Sequence, residues 1–327
     1  MKFAGLLPHL YLFGGVRRYI EMGNELISRG HQFTLYTPEG APPTWTTCRC
    51  KVKAMKFVSG DRNDIAIGGD PGILKFLAEA NALKKIFYAV LEDFPEEKKI
   101  FTSGQFTIMA NSSGIRQRIM SKYRVACLDG IGAVNTQTFY PAKIERDPAK
   151  FRVICYGRIS RKRKGTARVI EAVKRLYKKY PQLELQLFDS VTGDNPQDAS
   201  QKVRLKVPLK FYMNVPQDQM AKMYSGADVF ISAERRAGWN NTSAEAMACG
   251  VPVICTASGT TDFAFDNDTA IVIPNDRINT IAQAIEKLLT NENLRTSLAQ
   301  KGYNKIQEFT WPKLGNKLEK TFRQLLK

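Results

Sequence analysis

Apolar and polar positions alternate along this chain in two periods, one of about two residues and one of about 3.6, and the two periods take turns from end to end. Lys2–Leu7 reads as a buried strand. Val16–Ser28 then places Val16, Tyr19, Ile20, Gly23, Leu26 and Ile27 on one helical face, and Gly30 stops it ahead of a strand over Phe33–Thr37. Asp64–Ile67 reads as a strand, Ile73–Leu91 as a helix, Phe106–Ala110 as a strand and Ser113–Lys122 as a helix. Polar, proline-bearing text from Pro141 to Lys150 marks a linker. The alternation then restarts with a strand over Phe151–Tyr156, a helix over Gly165–Tyr180 and a strand over Leu183–Phe188. A helix over Gln217–Ser225, strands over Val229–Ser232, Val251–Thr256 and Ala270–Pro274, and helices over Thr280–Leu289, Asn293–Gln307 and Pro312–Leu326 complete it. Repeated strand–helix units imply parallel sheets, and the linker implies two of them: an α/β chain of two Rossmann-like domains facing a central cleft.

The most informative stretch runs from Glu234 to Val253. Asn240, Asn241 and Thr242 are cap formers, Ala244–Ala248 favours helix, and Gly250 with Pro252 ends it. A helix start presents free N–H groups and partial positive charge, which suit phosphate. Glu245, read in the first turn, suits ribose hydroxyls. Gly157-Arg158 followed by Arg161-Lys162-Arg163-Lys164-Gly165 falls between a strand and a helix. There Arg158 offers a guanidinium fork and Lys164 a point charge to a diphosphate. Gly14-Gly15, after the first strand, allows close backbone approach to a ligand. Together these residues point to a nucleotide site.

Composition narrows the field. With 327 residues the chain is long enough for two cored domains, and its 49 Lys and Arg against 31 Asp and Glu give a net charge of +18. Much of that charge reads as solvated helix faces, the rest as anion sites; basic runs include Lys202 to Lys210. No DNA- or RNA-binding signature accompanies it, so nucleic acid is not an expected partner. The apolar opening Met1–Leu7 imitates a signal peptide but is broken by Pro8, His9 and Gly14-Gly15 and reads as a first strand. No apolar run is long enough to span a bilayer. The 6 cysteines have no scaffold spacing; Cys48 and Cys50 read as alternating side chains on a strand, and reduced thiols in the cytoplasm are the expectation.

Several pieces in order, namely Gly14-Gly15, Gly30-His31, the run from Gly132 to Pro141, Gly157-Arg158 with Lys164-Gly165, Tyr224 to Asp228, and Glu245 to Val253, resemble the retaining GT-B glycosyltransferases of glycosyltransferase family four. The resemblance covers nearly the whole chain. It implies an acceptor-side domain over residues 1–145, a nucleotide-sugar-binding domain over 150–310, and a final helix over 311–327 crossing back to the first domain. It implies metal-independent transfer, with no cofactor, from a nucleotide-diphosphate sugar to a glycan or lipid-linked glycan. Arg158 and Lys164 would hold the diphosphate and Glu245 the ribose. Gly14 and Gly15 would approach the donor, as would Asn241 and Thr242 at the helix start, while Met213, Asn214 and Val215 would border the base.

The chain departs from that pattern at Ala237, where the family places a glutamate that meets the transferred sugar. Two readings of Glu234 stand: a replacement for that glutamate, or a structural partner of Arg235 or Arg236. His9 and Asp70 are the acceptor-side candidates. The helix over Ile73–Leu91, with Lys75, Lys84 and Lys85 beside Ile86, Phe87 and Tyr88, has two readings. One is a core helix with a wet basic face; the other is peripheral contact with an anionic membrane at the inner face. Asp266-Asn267-Asp268 imitates a metal-binding DxD and reads as turn chemistry. An epimerase acting on a sugar nucleotide, or a non-catalytic nucleotide-sugar-binding protein, fits the same architecture.

Overall fold

A computed structural model describes residues 1–191 and 206–327. The chain divides into two compact units, one made of Met1–Ala133 with Phe309–Lys327 and the other of Val134–Glu308. The boundary after Ala133 therefore falls ahead of the linker expected at 141–150 and inside the domain expected over 1–145. Packing explains the shift. Phe139 is buried with its ring 6.1 Å from Tyr224, and Ala142 N–H donates to Ser225 Oγ at 3.0 Å. Part of the basic run at Lys202 to Lys210 lies outside the described residues.

In the first unit the strands are β1 (Lys2–Leu6), β2 (Gln32–Thr37), β3 (Lys51–Ala54), β4 (Asn63–Gly68), β5 (Ala82–Ala89), β6 (Thr107–Ala110) and β7 (Cys127–Asp129). Each pairs in parallel, in the order β3-β2-β1-β4-β5-β6-β7. The helices α1 (Gly14–Ser28), α2 (Leu74–Glu79), α3 (Glu97–Thr102) and α4 (Ser113–Tyr123) connect them. The order reverses between β1 and β4, which puts the loops after those two strands at a topological switch point.

The second unit carries β8 (Phe151–Tyr156), β9 (Leu183–Asp189), β10 (Leu209–Met213), β11 (Val229–Ser232), β12 (Val253–Thr256) and β13 (Ile271–Ile273), in the order β10-β9-β8-β11-β12-β13. Its helices are α5 (Thr166–Tyr177), α6 (Met220–Ser225), α7 (Asn241–Ala248), α8 (Ile278–Thr290) and α9 (Glu292–Ile306). Here the switch point lies between β8 and β11. Both sheets are buried on their two faces by apolar strand residues, the first by Phe3 and Ile65 on one side and Ala4 and Ala66 on the other, the second by Val153 and Leu185 on one side and Phe230 and Val253 on the other.

The last helix, α10 (Trp311–Leu325), returns to the first unit. Trp311, Leu314, Leu318 and Phe322 form a stripe at helical spacing and join the core built by Val16, Tyr19 and Leu26. Trp311 Nε1–H donates to Glu21 Oε2 at 2.7 Å.

The helix expected over 73–91 is a correction. Leu74–Glu79 is a short helix, and Ala82–Ala89 is a strand paired with β4 and β6. Ile86, Phe87 and Tyr88 are buried in the sheet, so no amphipathic helix carries them toward an anionic membrane. A strand flanked on both faces is a continuous apolar run, which mimics a helix segment when basic residues precede it. Cys48 and Cys50 also differ from expectation: they precede β3, which begins at Lys51. Among the described residues no helix is long and apolar enough to cross a membrane.

Candidate functional site

At the switch point of the second sheet, the loop after β8 meets the loop after β11. The first ends in a single 3-10 turn, Lys162–Lys164, closed by Gly165 at φ 72°. Only glycine fits there, because a Cβ would overlap the carbonyl of Ala233. This close approach delivers Lys164 Nζ to 2.6 Å from Glu234 Oε2. Arg163 Nη1 stands 3.7 Å from the other Glu234 oxygen and donates to the Arg236 carbonyl at 2.9 Å. Arg235 N–H donates to the Arg163 carbonyl at 2.9 Å. The cationic loop is thus laced to the acidic one. Burial pushes the Lys164 ammonium below the ordinary lysine range, and Arg163 and Arg161 push the same way against the pull of Glu234.

Of the two readings of Glu234, the structure gives an ion pair, but with Lys164 rather than with Arg235 or Arg236. Arg235 instead lies 3.4 Å from Asp276. A small cavity beside the pair is lined by Tyr156, Lys164, Thr166, Ser232, Glu234 and Thr242. Thr242 belongs to the first turn of α7. That helix is capped by Asn240, whose Oδ1 accepts from Ser243 N–H at 3.2 Å and whose Nδ2–H donates to Ser232 Oγ at 2.8 Å. Asn241 opens the helix. Lys164, Glu234 and Thr242 therefore come together, with Asn241 preceding Thr242 at the helix start.

Glu245 lies one turn further along than expected, since α7 begins at Asn241. Its buried carboxylate accepts from Tyr224 O–H at 2.9 Å. The position at Ala237 is filled from below: its N–H donates to Ser258 Oγ at 2.8 Å, and a Cβ on Gly259 would meet the Ala237 side chain.

Arg158 has a protein partner that the sequence did not show. Its side chain is buried, and Nε and Nη2 fork onto Asp189 Oδ1 at 3.1 and 2.8 Å, with Nη2 also donating to the Ser190 carbonyl at 2.8 Å. The fork expected to meet a diphosphate meets a carboxylate of the protein, because Asp189 ends β9 directly beside the end of β8. Asn214, at φ 53°, closes the same corner: its N–H donates to the Asp189 carbonyl at 3.0 Å, and its Oδ1 accepts from Val191 N–H at 2.8 Å. Met213 ends β10 and Val215 follows Asn214, so the residues expected at the base sit on this corner.

The remaining candidates are in the first unit. Gly14 and Gly15 are the first two residues of α1, and a Cβ on Gly15 would meet nothing within 4 Å. His9 stacks on Tyr11 at 4.9 Å and packs on Phe13 at 5.2 Å. Asp70 Oδ1 accepts from Gly72 N–H at 2.7 Å and so caps a turn after β4. His9 and Asp70 lie on the two loops of the first sheet's switch point, and Gly14 and Gly15 open the helix that follows the first of them. Asp266 and Asp268 hold a turn, accepting from Val272 N–H at 2.9 Å and from Lys301 at 3.0 Å.

Sequence reading missed Asp189 and the role of Tyr224. The signal for Asp189 was an acid at the carboxyl end of a parallel strand, one residue beyond the predicted strand end. Tyr224 was visible only as part of a motif.

Comparison with known proteins gives the family and the fold. Residues 136–305 match the family described as Glycosyl transferases group 1. The chain is 28% identical over 168 residues to the capsular polysaccharide biosynthesis glycosyltransferase CapM of Staphylococcus aureus, covering 51% of this chain and 44% of that one. The chain thus spans less than half the length of that relative. Among solved structures, a glycosyltransferase from Rickettsia africae superposes with a TM-score of 0.79 at 16% identity, over 100% of this chain and 98% of that one. Anabaena HepE in complex with UDP and glucose superposes with a TM-score of 0.73 at 13% identity, over 99% of each chain. The shared fold is GT-B, two Rossmann-like domains with parallel sheets.

Proposed function

Because this chain belongs to the glycosyl transferases group 1 family, we propose that it moves a sugar from a nucleoside diphosphate sugar to a hydroxyl of a glycan or lipid-linked glycan. Transfer proceeds with retention, as in glycosyltransferase family four, and uses no catalytic metal. The observation that carries the reading is Lys164 held beside the start of α7 at the switch point, with Glu245 one turn along the same helix.

Leaving of the nucleoside diphosphate places negative charge on the phosphate oxygen and positive charge on the sugar. The Lys164 ammonium and the α7 N-terminus are the groups placed to meet the first of these. Glu234 holds Lys164 charged and oriented in a site where burial favours the neutral amine. Glu245, fixed by Tyr224, accepts hydrogen bonds from ribose hydroxyls. Arg158 acts from beneath, fixing the Asp189–Asn214 corner that borders the base. HepE, whose structure holds UDP and glucose, makes UDP the first nucleotide to try.

A thermal-shift panel of UDP, GDP, ADP and dTDP tests the donor site, since a ligand that binds only the folded chain raises its melting point. Labelled donor sugar with and without glycan acceptors then tests the reaction. Transfer with the anomeric configuration kept is the expected result. Release of an isomeric nucleotide sugar without acceptor, or binding without any turnover, would replace the proposal.

A further inference from the structure

The six thiols of the chain are free, and four of them are sealed in the cores: burial pushes Cys127, Cys155, Cys249 and Cys255 above the ordinary thiol range. Cys48 and Cys50 differ. They sit on the segment entering β3, and one side chain of α1 pins that segment from both directions. Asn24 Nδ2–H donates to the Thr47 carbonyl at 2.8 Å, and Arg49 N–H donates to Asn24 Oδ1 at 2.7 Å. Cys50 is seated over Gly23, where a Cβ would overlap its sulfur and press on the Phe33 ring. Cys48 is half-buried, with its sulfur 3.9 Å from the Cys50 carbonyl oxygen, and it stands two residues before the buried Cys50 on the same clamped segment.

We propose that Cys48 and Cys50 are a reversible oxidation site, at which a peroxide converts the two thiols into an intramolecular disulfide. The Cys48 thiolate attacks one peroxide oxygen and the O–O bond breaks. Cys48 becomes a sulfenic acid, and the departing oxygen leaves as water or an alcohol after taking a proton. Cys50 sulfur then attacks Cys48 sulfur, the S–O bond breaks, and the hydroxide leaves as water with the Cys50 proton. The pair loses two electrons and the peroxide gains them; a dithiol reductant reverses the change. The contact with Cys50 draws Cys48 below the ordinary thiol range, while the same contact and burial raise Cys50. Cys48, half-exposed where Cys50 is buried, is the attacking sulfur and Cys50 the resolving one. The Asn24 clamp and the Gly23 notch hold both sulfurs in place beforehand.

The test uses the full chain, reduced and then exposed to micromolar hydrogen peroxide. Intact mass should fall by two hydrogens per chain, peptide mapping should place the link between Cys48 and Cys50, and dithiothreitol should restore the starting mass. Cys48→Ser should abolish the change. Cys50→Ala should leave Cys48 as a sulfenic acid trapped by dimedone, with thermal melting confirming that both variants fold. Iodoacetamide should label Cys48 at least tenfold faster than Cys127 at neutral pH. Oxidation that survives in Cys48→Ser, a link between two chains, or equal labelling of Cys48 and Cys127 would overturn the assignment.

Discussion

Lys164 and Glu234, 70 positions apart in the chain, form an ion pair of 2.6 Å where the strand order of the second sheet reverses. The two loops that supply them need each other. Without Glu234, burial and the neighbouring Arg161 and Arg163 all drive the Lys164 proton off. Without Lys164, a buried carboxylate loses its closest counter-charge.

Lys164→Ala is therefore expected to lower turnover by orders of magnitude and also to cost about 3 kcal/mol of stability, because Glu234 is left uncompensated. The double variant Lys164→Met/Glu234→Gln should regain most of that stability and none of the turnover. Denaturant unfolding of the single and double variants, beside a transfer assay, separates the two effects. Recovery of turnover in the double variant would refute the role given to Lys164.

The same pair predicts opposite responses to alkali. Since the folded-state pKa of Lys164 is lowered, the unfolded chain holds a proton that the folded one lacks between that value and the ordinary lysine value. Stability contributed by this site rises with pH across that window. Affinity for the diphosphate, which needs the charged amine, falls across it. Lys164→Arg should remove the alkaline fall in affinity, because a guanidinium stays charged. Titration calorimetry with nucleoside diphosphate as a function of pH reads the outcome.

Much of this arrangement was legible in the sequence, and the exceptions share a cause. Local signals worked: Asn240 as a cap, Gly30 as the stop of the first helix, and the final helix entered through Trp311. What was not legible is what a long-range partner decides. Arg158 is an anion ligand by type, but Asp189, brought alongside by strand pairing, takes its fork. Ile86, Phe87 and Tyr88 pass for a helix face until pairing with β4 and β6 makes them a buried strand. Glu234 could not be assigned because its partner lies across the switch point, where only the parallel sheet brings the loops together.

Glu245→Ala should weaken nucleoside diphosphate binding about tenfold or more while leaving inorganic pyrophosphate binding unchanged, because only the ribose loses its acceptor. Tyr224→Phe removes the hydrogen bond that orients Glu245 and should cost about 1 kcal/mol of stability with a smaller loss of affinity. Equal loss of affinity for both ligands in Glu245→Ala would move this carboxylate from the ribose to the phosphates.

Gly165→Ala tests the loop approach directly. The residue adopts φ 72°, and an added Cβ would overlap the Ala233 carbonyl, so strain and a steric clash add together. The substitution should lower stability by about 2 kcal/mol or more and separate Lys164 from Glu234. Gly15→Ala, where a Cβ meets nothing within 4 Å, is the matched control and should leave melting unchanged to within a degree or two. Similar melting of the two variants would show that the close approach at Gly165 is not required.

The final helix gives the last prediction. Phe322 is fully buried against the first unit, its ring 5.4 Å from Phe3, and Trp311 Nε1–H is satisfied by Glu21 at 2.7 Å. Phe322→Ala removes a core ring from a cluster that also holds Val16, Tyr19 and Leu26, and should cost about 3–4 kcal/mol. The damage should fall on α1, which carries Gly14 and Gly15 at its start. Hydrogen exchange should therefore rise in α1 and β1 while α5 and α8, in the other unit, keep their protection. Exchange rising equally in both units would mean that the two unfold as one body and that α10 does not serve the first unit alone.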